Sequence, residues 1–251
     1  MTIIVGVLCK DGVVIGADSA ATFATASGQI RTIEQPTKKV YLLCDDHVIL
    51  AGTGQIGMGQ RFASIVEGFW AKKIFAKPEN TPTHLGSMLA EVTTKNFQAT
   101  SANVKEYGAL LAFPCHGKAH LCEFACGDFQ PELKTQDIWY VSMGSGQLIV
   151  DPFLALIRKV FWDDGMPNCQ DAVFAVYWAI SHAIDVNPGG VNKPVSIGVL
   201  RNGVNAVLLP EEDLEAHNEN VNGAIRHLRK YKDILQGKGD APTPQIPAKP
   251  V

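Results

Sequence analysis

The sequence predicts a mixed protein of strands and helices, in which two antiparallel sheets face each other and pairs of helices cover their outer sides. The predicted elements come in blocks, ordered as strands, two helices, strands, two helices and strands. Short turns that suit hairpins separate several strands, including the Asn202-Gly203 pair. Strands in blocks and helices in pairs favour layered packing, because each apolar face must be buried against another element.

The first half of the chain contains strands of alternating polarity, followed by two amphipathic helices. Runs that are rich in β-branched residues and alternate between apolar and polar side chains predict strands. Apolar residues that fall on one face at 3.6 residues per turn, such as Phe62, Val66 and Phe69, predict helices. The predicted elements are strands Ile3–Cys9 and Val13–Ala17, a loop or loose hairpin over Ala20–Gln35, strands Val40–Cys44 and Val48–Ala51, and helices Gln55–Trp70 and Pro82–Thr100.

The second half again has strands followed by two helices, and then two more strands, a polar helix and a tail. The predicted elements are strands Tyr107–Phe113, His120–Cys126 and Trp139–Met143, helices Gly144–Trp162 and Gln170–Ile184, strands Val195–Leu200 and Val204–Leu209, and a helix from Pro210 to about Leu235. Residues 1–236 are predicted to form a single domain. The segment 237–251 is rich in proline and glycine, which predicts a disordered or peripheral tail.

Composition excludes several classes of protein. The 251 residues are 46% hydrophobic and 19% charged, as expected of a globular protein with a sizeable core. A net charge of −3 does not fit a nucleic-acid binder, which would carry a basic patch. No signal peptide is recognisable and no apolar run reaches about 18 residues, so we expect no membrane association. Six cysteines without a CxxC pair fit a reducing cytoplasm, and we expect neither a metal nor a cofactor.

The first candidate for chemistry is Thr2, which directly follows Met1. If Met1 is removed, one residue carries both a hydroxyl and a free α-amine. An α-amine titrates near pH ~7.7–8.0, so a useful fraction is unprotonated at neutral pH. A hydroxyl is a weak nucleophile until a neighbouring base takes its proton, and an N-terminal threonine brings that base with it.

Two further residues are expected beside Thr2. The predicted hairpin of the first two strands returns Asp18 to the start of the chain. A third strand over Thr37–Leu42 opens with Lys38 and Lys39, and the alternation of side chains along a strand directs one lysine inward and the other outward. A lysine held by a buried aspartate places a cation beside the Thr2 amine, which favours the free-base form of that amine.

Four separated segments occur together in this order: the strand that starts at Thr2, then Gly12-Val13-Val14-Ile15-Gly16-Ala17-Asp18-Ser19, then Lys38-Lys39-Val40, then Leu50-Ala51-Gly52. Over Thr2 to about Leu209 the chain resembles a bacterial homologue of proteasome β-type subunits, which are N-terminal-nucleophile (Ntn) hydrolases. The resemblance implies an α+β fold, a four-layer αββα sandwich. It also implies a threonine endopeptidase that cleaves peptide or unfolded protein inside a homo-oligomeric, stacked ring, with an ATPase regulator as a further possible partner.

The resemblance also implies roles for individual residues. Thr2 becomes the nucleophile, Asp18 and Lys39 its charged partners, Gly52 the backbone oxyanion donor, and Ser145 and Asp185 partners of the amine. The substrate-binding residues that it implies around the P1 side chain are Ala21, Thr37, Tyr41, Leu50 and Gly54. Thr22 is implied to bind the substrate through its backbone. We expect a small-to-medium apolar residue at P1. Ser145 also suits a helix N-cap. Asp185 directly follows the predicted helix Gln170–Ile184, at the end where the helix dipole disfavours an acid.

The sequence departs from the family pattern at two positions and leaves other functions open. Pro188 stands where the family has a serine, and Ala20 where it often has an arginine. One alternative is an inert ring subunit that keeps Met1, and another is an Ntn amidase acting on small amides. Gly52 to Gly57 also reads GxGxxG, a dinucleotide-binding fingerprint, but no second strand ending in an acid follows about 20 residues later.

Overall fold

A computed structural model describes residues 2–24, 30–33, 37–100, 102–162, 165–187 and 191–237. The elements of the first half are β1 (Ile4–Cys9), β2 (Gly12–Ala17), β3 (Ala21–Ala24), β4 (Ile30–Ile33), β5 (Val40–Leu43), β6 (Val48–Gly54), α1 (Ile56–Ala71) and α2 (Pro82–Gln98). Those of the second half are β7 (Tyr107–Cys115), β8 (Lys118–Phe124), β9 (Pro131–Leu133), β10 (Tyr140–Met143), α3 (Gln147–Phe161), α4 (Cys169–Val186), β11 (Ser196–Arg201), β12 (Val207–Leu208) and α5 (Glu211–Leu235).

The strands form two five-stranded antiparallel sheets. The first has the order β10-β1-β2-β11-β12 and the second the order β5-β6-β7-β8-β9, while β3 and β4 pair only with each other. In the β1–β2 hairpin Cys9 lies opposite Gly12 and Ile4 lies opposite Ala17. This register returns the end of β2 to the beginning of β1, and so places Asp18 near Thr2.

Three hydrophobic clusters of described residues correspond to the interfaces of a four-layer sandwich. Ile15, Ile49 and Leu110 are fully buried members of the cluster between the two sheets. A second cluster joins the first sheet to α3, α4 and α5 and includes Val176 of α4. The third joins the second sheet to α1 and α2 and includes Phe62. The predicted αββα sandwich is therefore confirmed.

Several element boundaries differ from the prediction. Strand β9 was not predicted, because its three residues include a proline and a glutamate and carry no strand pattern. Helix α3 begins at Gln147 and not at Gly144, since residues 144–146 form a tight turn. The predicted loose hairpin over Ala20–Gln35 contains the paired strands β3 and β4, and its residues 25–29 and 34–36 lie outside the described ranges, as does most of the predicted tail.

The GxGxxG segment lies between an antiparallel strand and a helix. Gly52 and Gly54 belong to β6, which pairs antiparallel with both β5 and β7, and Gly57 belongs to α1. A dinucleotide fold requires parallel strands on either side of the helix, so this interpretation is excluded. Among the described helices, none combines the length and the apolarity that crossing a lipid bilayer requires.

Candidate active site

The buried carboxylate of Asp18 organises the start of the chain. Its Oδ1 accepts hydrogen bonds from the Ile3 N–H at 2.8 Å and from Lys39 Nζ at 2.7 Å. Its Oδ2 accepts from the N–H groups of Ala20 at 2.9 Å and Asn192 at 3.4 Å. A carboxylate with four donors and a counter-charge is satisfied in the interior, as burial requires. One oxygen therefore bridges the residue after Thr2 to the lysine ammonium.

The two neighbouring lysines have opposite environments. Lys39 is 8% exposed and forms an ion pair with Asp18, whereas Lys38 is exposed and its ammonium lies 5.7 Å from the centroid of the Tyr41 ring. The structure thus places Lys39, the lysine chosen from the sequence, at the candidate site. Burial lowers the pKa of the Lys39 ammonium, and the negative charge of Asp18 opposes that shift.

The Gly144-Ser145-Gly146 turn brings the Ser145 hydroxyl to Thr2. The Thr2 nitrogen donates a hydrogen bond to Ser145 Oγ at 3.2 Å, and the Gly146 N–H donates to the Thr2 carbonyl at 3.4 Å. Gly144 has a φ of +95°, and a Cβ there would lie 2.2 Å from the Thr2 carbonyl oxygen. A Cβ on Gly146 would lie 2.1 Å from the Ile3 side chain. Only glycine at both positions allows the turn to approach this closely.

Asp151 of α3 holds this turn from both sides. Its Oδ1 accepts a hydrogen bond from the Ser142 hydroxyl at 2.5 Å, and its Oδ2 accepts from Gln147 Nε2 at 3.0 Å. Ser142 is the last but one residue of β10 before the turn, and Gln147 begins α3 after it. One side chain therefore fixes the distance between the two ends of the segment that carries Ser145. Sequence reasoning missed Asp151, because an acid in a helix after a turn has many ordinary uses.

Replacing Asp151 by alanine is expected to loosen the turn while the sandwich stays folded. Ser142 is 1% exposed, so its hydroxyl would lose a buried acceptor, at a cost of about 1–3 kcal/mol. Amide hydrogen exchange of residues 143–147 should rise by about tenfold or more, consistent with that free energy. Asp137→Ala, which removes an exposed carboxylate, is the control. Unchanged exchange in the turn would show that Asp151 does not hold it.

A cavity of about 1060 Å³ brings four of the six predicted catalytic residues together, namely Thr2, Lys39, Gly52 and Ser145. The sequence of β6 explains why the cavity exists. Side chains alternate along a strand, so Leu50, Gly52 and Gly54 share one face, and two of the three have no side chain. Gly54 has a φ of +104°, and a Cβ there would lie 1.9 Å from the Glu106 carbonyl oxygen.

Tyr107, at the start of β7, closes the cavity beneath Gly52. It lies opposite Gly54 in the β6–β7 ladder, and its hydroxyl would be 2.7 Å from a Cβ on Gly52. Its ring also borders Gly59 of α1, at 3.3 Å from a Cβ built there. Tyr107 is 2% exposed, and its hydroxyl has no hydrogen-bond partner within the described ranges. Burial raises the pKa of Tyr107, so the hydroxyl keeps its proton.

The predicted substrate-binding residues fall into two groups. Four of them line the cavity: Thr37, Tyr41, Leu50 and Gly54. Ala21 and Thr22 lie in β3, and their side chains lie outside the part of the chain that the structure describes. The Tyr41 hydroxyl donates to the Lys38 carbonyl at 2.5 Å. Tyr107 was not assigned to this group, because from the sequence it is only the first residue of a strand.

Asp185 is not brought into the site. It lies in the last turn of α4 and is exposed, while its neighbour Ile184 faces the core. Among the described residues no hydrogen bond joins Asp185 to Thr2, Ser145 or Lys39. The phase of the helix is the physical reason, because consecutive helical residues lie about 100° apart. Pro188, the departure noted nearby, lies outside the described residues.

No cluster of three or more histidine, cysteine, aspartate or glutamate side chains suited to a metal ion occurs within the described ranges. The site is instead built from a hydroxyl residue at the start of the first strand, a buried lysine–aspartate pair, a serine on a glycine turn and a cavity. Together with two facing antiparallel sheets between helical layers, these features define a protein of the Ntn-hydrolase fold class.

The chain belongs to the proteasome subunit family, whose model, described as "Proteasome subunit", matches residues 2–193. Two solved structures of similar fold are Anbu (ancestral beta-subunit) proteins. Anbu from Yersinia bercovieri is 14% identical with a TM-score of 0.65, covering 96% of this chain and 99% of its own. The Anbu (Gly-1) mutant from Hyphomicrobium sp. strain MC1 is 13% identical with a TM-score of 0.67, covering 97% and 100%. No curated protein matches the chain.

Proposed function

We propose that this chain is a threonine-type peptide hydrolase of the proteasome β-subunit kind, with Thr2 as its nucleophile. The observation that carries the proposal is the convergence of two contacts on one end of the cavity. Ser145 Oγ accepts a hydrogen bond from the Thr2 nitrogen, and Asp18 holds Lys39 beside the next residue of the chain. Membership of the proteasome subunit family supports this reading of the geometry.

The proposed reaction begins with the removal of Met1, which converts the Thr2 nitrogen into an α-amine. The amine takes the hydroxyl proton as Thr2 Oγ attacks the scissile carbonyl, and the ammonium of Lys39 favours the unprotonated amine. The C–N bond of the substrate then breaks, and the proton passes to the leaving amine. Water hydrolyses the resulting ester, which frees the carboxylic acid product and restores the Thr2 hydroxyl.

Gly52 is proposed to stabilise the negative oxygen that forms on the carbonyl carbon. It follows Ala51, the residue of β6 that pairs with the first residue of β5, and it lines the cavity with Thr2. A backbone N–H aimed at this oxygen contributes about 10²–10³-fold in turnover. Ser145 Oγ accepts a hydrogen bond from the Thr2 nitrogen and so orients the proposed base in the cavity that Gly52 also lines.

The proposal includes assembly and location. Subunits of the proteasome family typically form oligomeric rings, so we infer a stacked homo-oligomeric ring, with its sites facing an inner chamber, that cleaves peptide or unfolded protein in the cytoplasm. Residues 1–236 form one domain in this proposal. An ATPase regulator would act on the ring and not on the site described above.

Intact-mass analysis combined with a covalent probe tests the proposal. The purified full-length protein is expected to lack Met1 and to gain one β-lactone or epoxyketone adduct per chain, located on Thr2 by peptide mapping. Preincubation with a peptide substrate should slow the labelling, because substrate and probe compete for the same cavity. A chain that retains Met1, or an adduct found only at other residues, would contradict the assignment.

The exposed position of Asp185 favours a second candidate, a catalytically inert ring subunit. Without that acid, the described groups that can set the protonation of the Thr2 amine are Ser145 and the Lys39–Asp18 pair. The same experiment separates the two functions, since an inert subunit forms rings but takes no adduct on Thr2. An Ntn amidase would instead label at Thr2 and hydrolyse small amides without cleaving peptides.

A further inference from the structure

The hydroxyl of Tyr107 is a buried polar group with no hydrogen-bond partner among the described residues, and it belongs to a residue that lines the candidate substrate cavity. The other unpartnered buried side-chain atoms of the described residues belong to Thr93, Ser181 and His217, none of which lines that cavity. A buried hydroxyl without a partner lowers stability, so its presence needs an explanation. The cavity offers one, because a ligand bound there can supply the missing hydrogen bond.

The ring of Tyr107 has a structural role that its hydroxyl does not share. The ring packs among Phe62, Phe97 and Phe129, with centroids 6.2, 6.1 and 6.0 Å away. A phenylalanine at position 107 would make the same aromatic contacts and would bury no unpaired polar atom. The packing of the second sheet against α1 and α2 therefore accounts for an aromatic residue here, but it does not account for a tyrosine.

The position of the hydroxyl relates it to the reacting carbonyl. It lies beneath Gly52, the proposed oxyanion donor, and a Cβ on that glycine would approach it to 2.7 Å. The P1 side chain branches from the Cα next to the reacting carbonyl carbon. With that carbonyl at Gly52, the side chain would enter the cavity beside this glycine. Gly54, Gly57 and Gly59 also line the cavity and add no side chains that would fill it. A long side chain can therefore extend to Tyr107.

The charges around the cavity exclude a charged P1 residue. Lys39 is already paired with Asp18, and Lys38 and Glu106 are exposed, so solvent screens them. Leu50, Ile56 and Ala63 add apolar surface to the cavity lining. A charge carried into this space would lose its hydration without gaining a buried partner. The chemistry fits a neutral side chain with an apolar stem and a polar end.

We propose that Tyr107 is a specificity-determining residue, and that its hydroxyl hydrogen-bonds the end of a large, uncharged P1 side chain such as tyrosine or glutamine. This inference rests on the proposed peptidase function and names its substrate class. It replaces the expectation of a small-to-medium apolar P1 residue, because a cavity of about 1060 Å³ lined by four glycines is larger than such a residue needs. A site built around a hydrogen bond discriminates against the analogue that lacks it.

Four fluorogenic peptides that differ only at P1 test the inference. Their P1 residues are tyrosine, phenylalanine, glutamine and norleucine, and kcat/KM is measured for the wild-type protein and for Tyr107→Phe. The wild type should prefer tyrosine to phenylalanine, and glutamine to norleucine, by about tenfold, the value of one net hydrogen bond. In Tyr107→Phe both ratios should fall towards one, through losses on the tyrosine and glutamine peptides only.

Tyr177→Phe is the matched control, since it removes a hydroxyl from a buried tyrosine of α4 that does not line the cavity. It should leave both ratios unchanged. A wild-type protein that cleaves the phenylalanine and norleucine peptides as fast as their polar partners overturns the inference without any variant. Unchanged ratios in Tyr107→Phe also overturn it, while the peptidase function stands. If no peptide is cleaved and Thr2 takes no covalent label, the proposed function fails and this inference fails with it.

Discussion

A Thr2→Ala protein is expected to lose peptidase activity almost completely, with kcat falling on the order of 10⁴–10⁶-fold, the range seen when a covalent nucleophile is removed. The α-amine, Lys39 and the cavity all remain in this variant, so the missing hydroxyl alone accounts for the loss. Single-turnover kinetics with a fluorogenic peptide measure the effect. The β-lactone adduct at residue 2 should disappear in parallel.

Thr2→Ser is the matched variant, because serine keeps both the hydroxyl and the amine and loses only a methyl group. Its activity should remain within about tenfold of the wild type, because the reacting groups are still present. A decrease within that range is expected because serine lacks the β-branch that restricts χ1, so its hydroxyl is freer to rotate. Both substitutions keep the Cβ that packs near Gly144, so the melting temperatures should be similar. Wild-type activity in Thr2→Ala would remove Thr2 from the mechanism.

Residue patterns alone predicted the parts of the site that short-range geometry sets. A tight hairpin returns Asp18 to Thr2, and strand alternation separates the environments of Lys38 and Lys39. The choice of Lys39 over Lys38 and the role of Ser145 came from the resemblance to the family. The contact between Ser145 and Thr2 joins residues 143 positions apart, which periodicity does not encode.

The remaining features depend on contacts between distant parts of the chain. Asp151 meets Ser142 only because α3 folds back along the end of β10, and Tyr107 reaches the cavity only because β7 pairs with β6. Likewise, β10 lies beside β1, and β11 beside β2, through connections that periodicity does not encode. Asp185 is the opposite case. The resemblance implied a role for it in the site, but its position around α4 leaves the residue exposed to solvent.

Lys39→Met is expected both to abolish peptidase activity and to destabilise the protein. Methionine fills much of the space of the lysine stem but leaves the Asp18 carboxylate buried with three backbone donors and no counter-charge. Breaking a buried ion pair by removing one partner typically costs about 3–5 kcal/mol. The free energy of unfolding, measured by denaturant titration at a fixed assembly state, should fall by that amount. Peptide cleavage should fall at least about 10²-fold, because the amine loses its neighbouring cation.

The double variant Asp18→Asn, Lys39→Met separates the two effects. Asparagine carries no charge, so much of the lost stability should return, while cleavage should stay low because the cation is still absent. Lys95→Met is the control, since Lys95 forms an ion pair of 2.5 Å with Glu91 at an exposed position and should change neither quantity appreciably. Recovery of cleavage together with stability in the double variant would show that Lys39 serves folding alone. Its ammonium would then have no part in setting the protonation of the Thr2 amine.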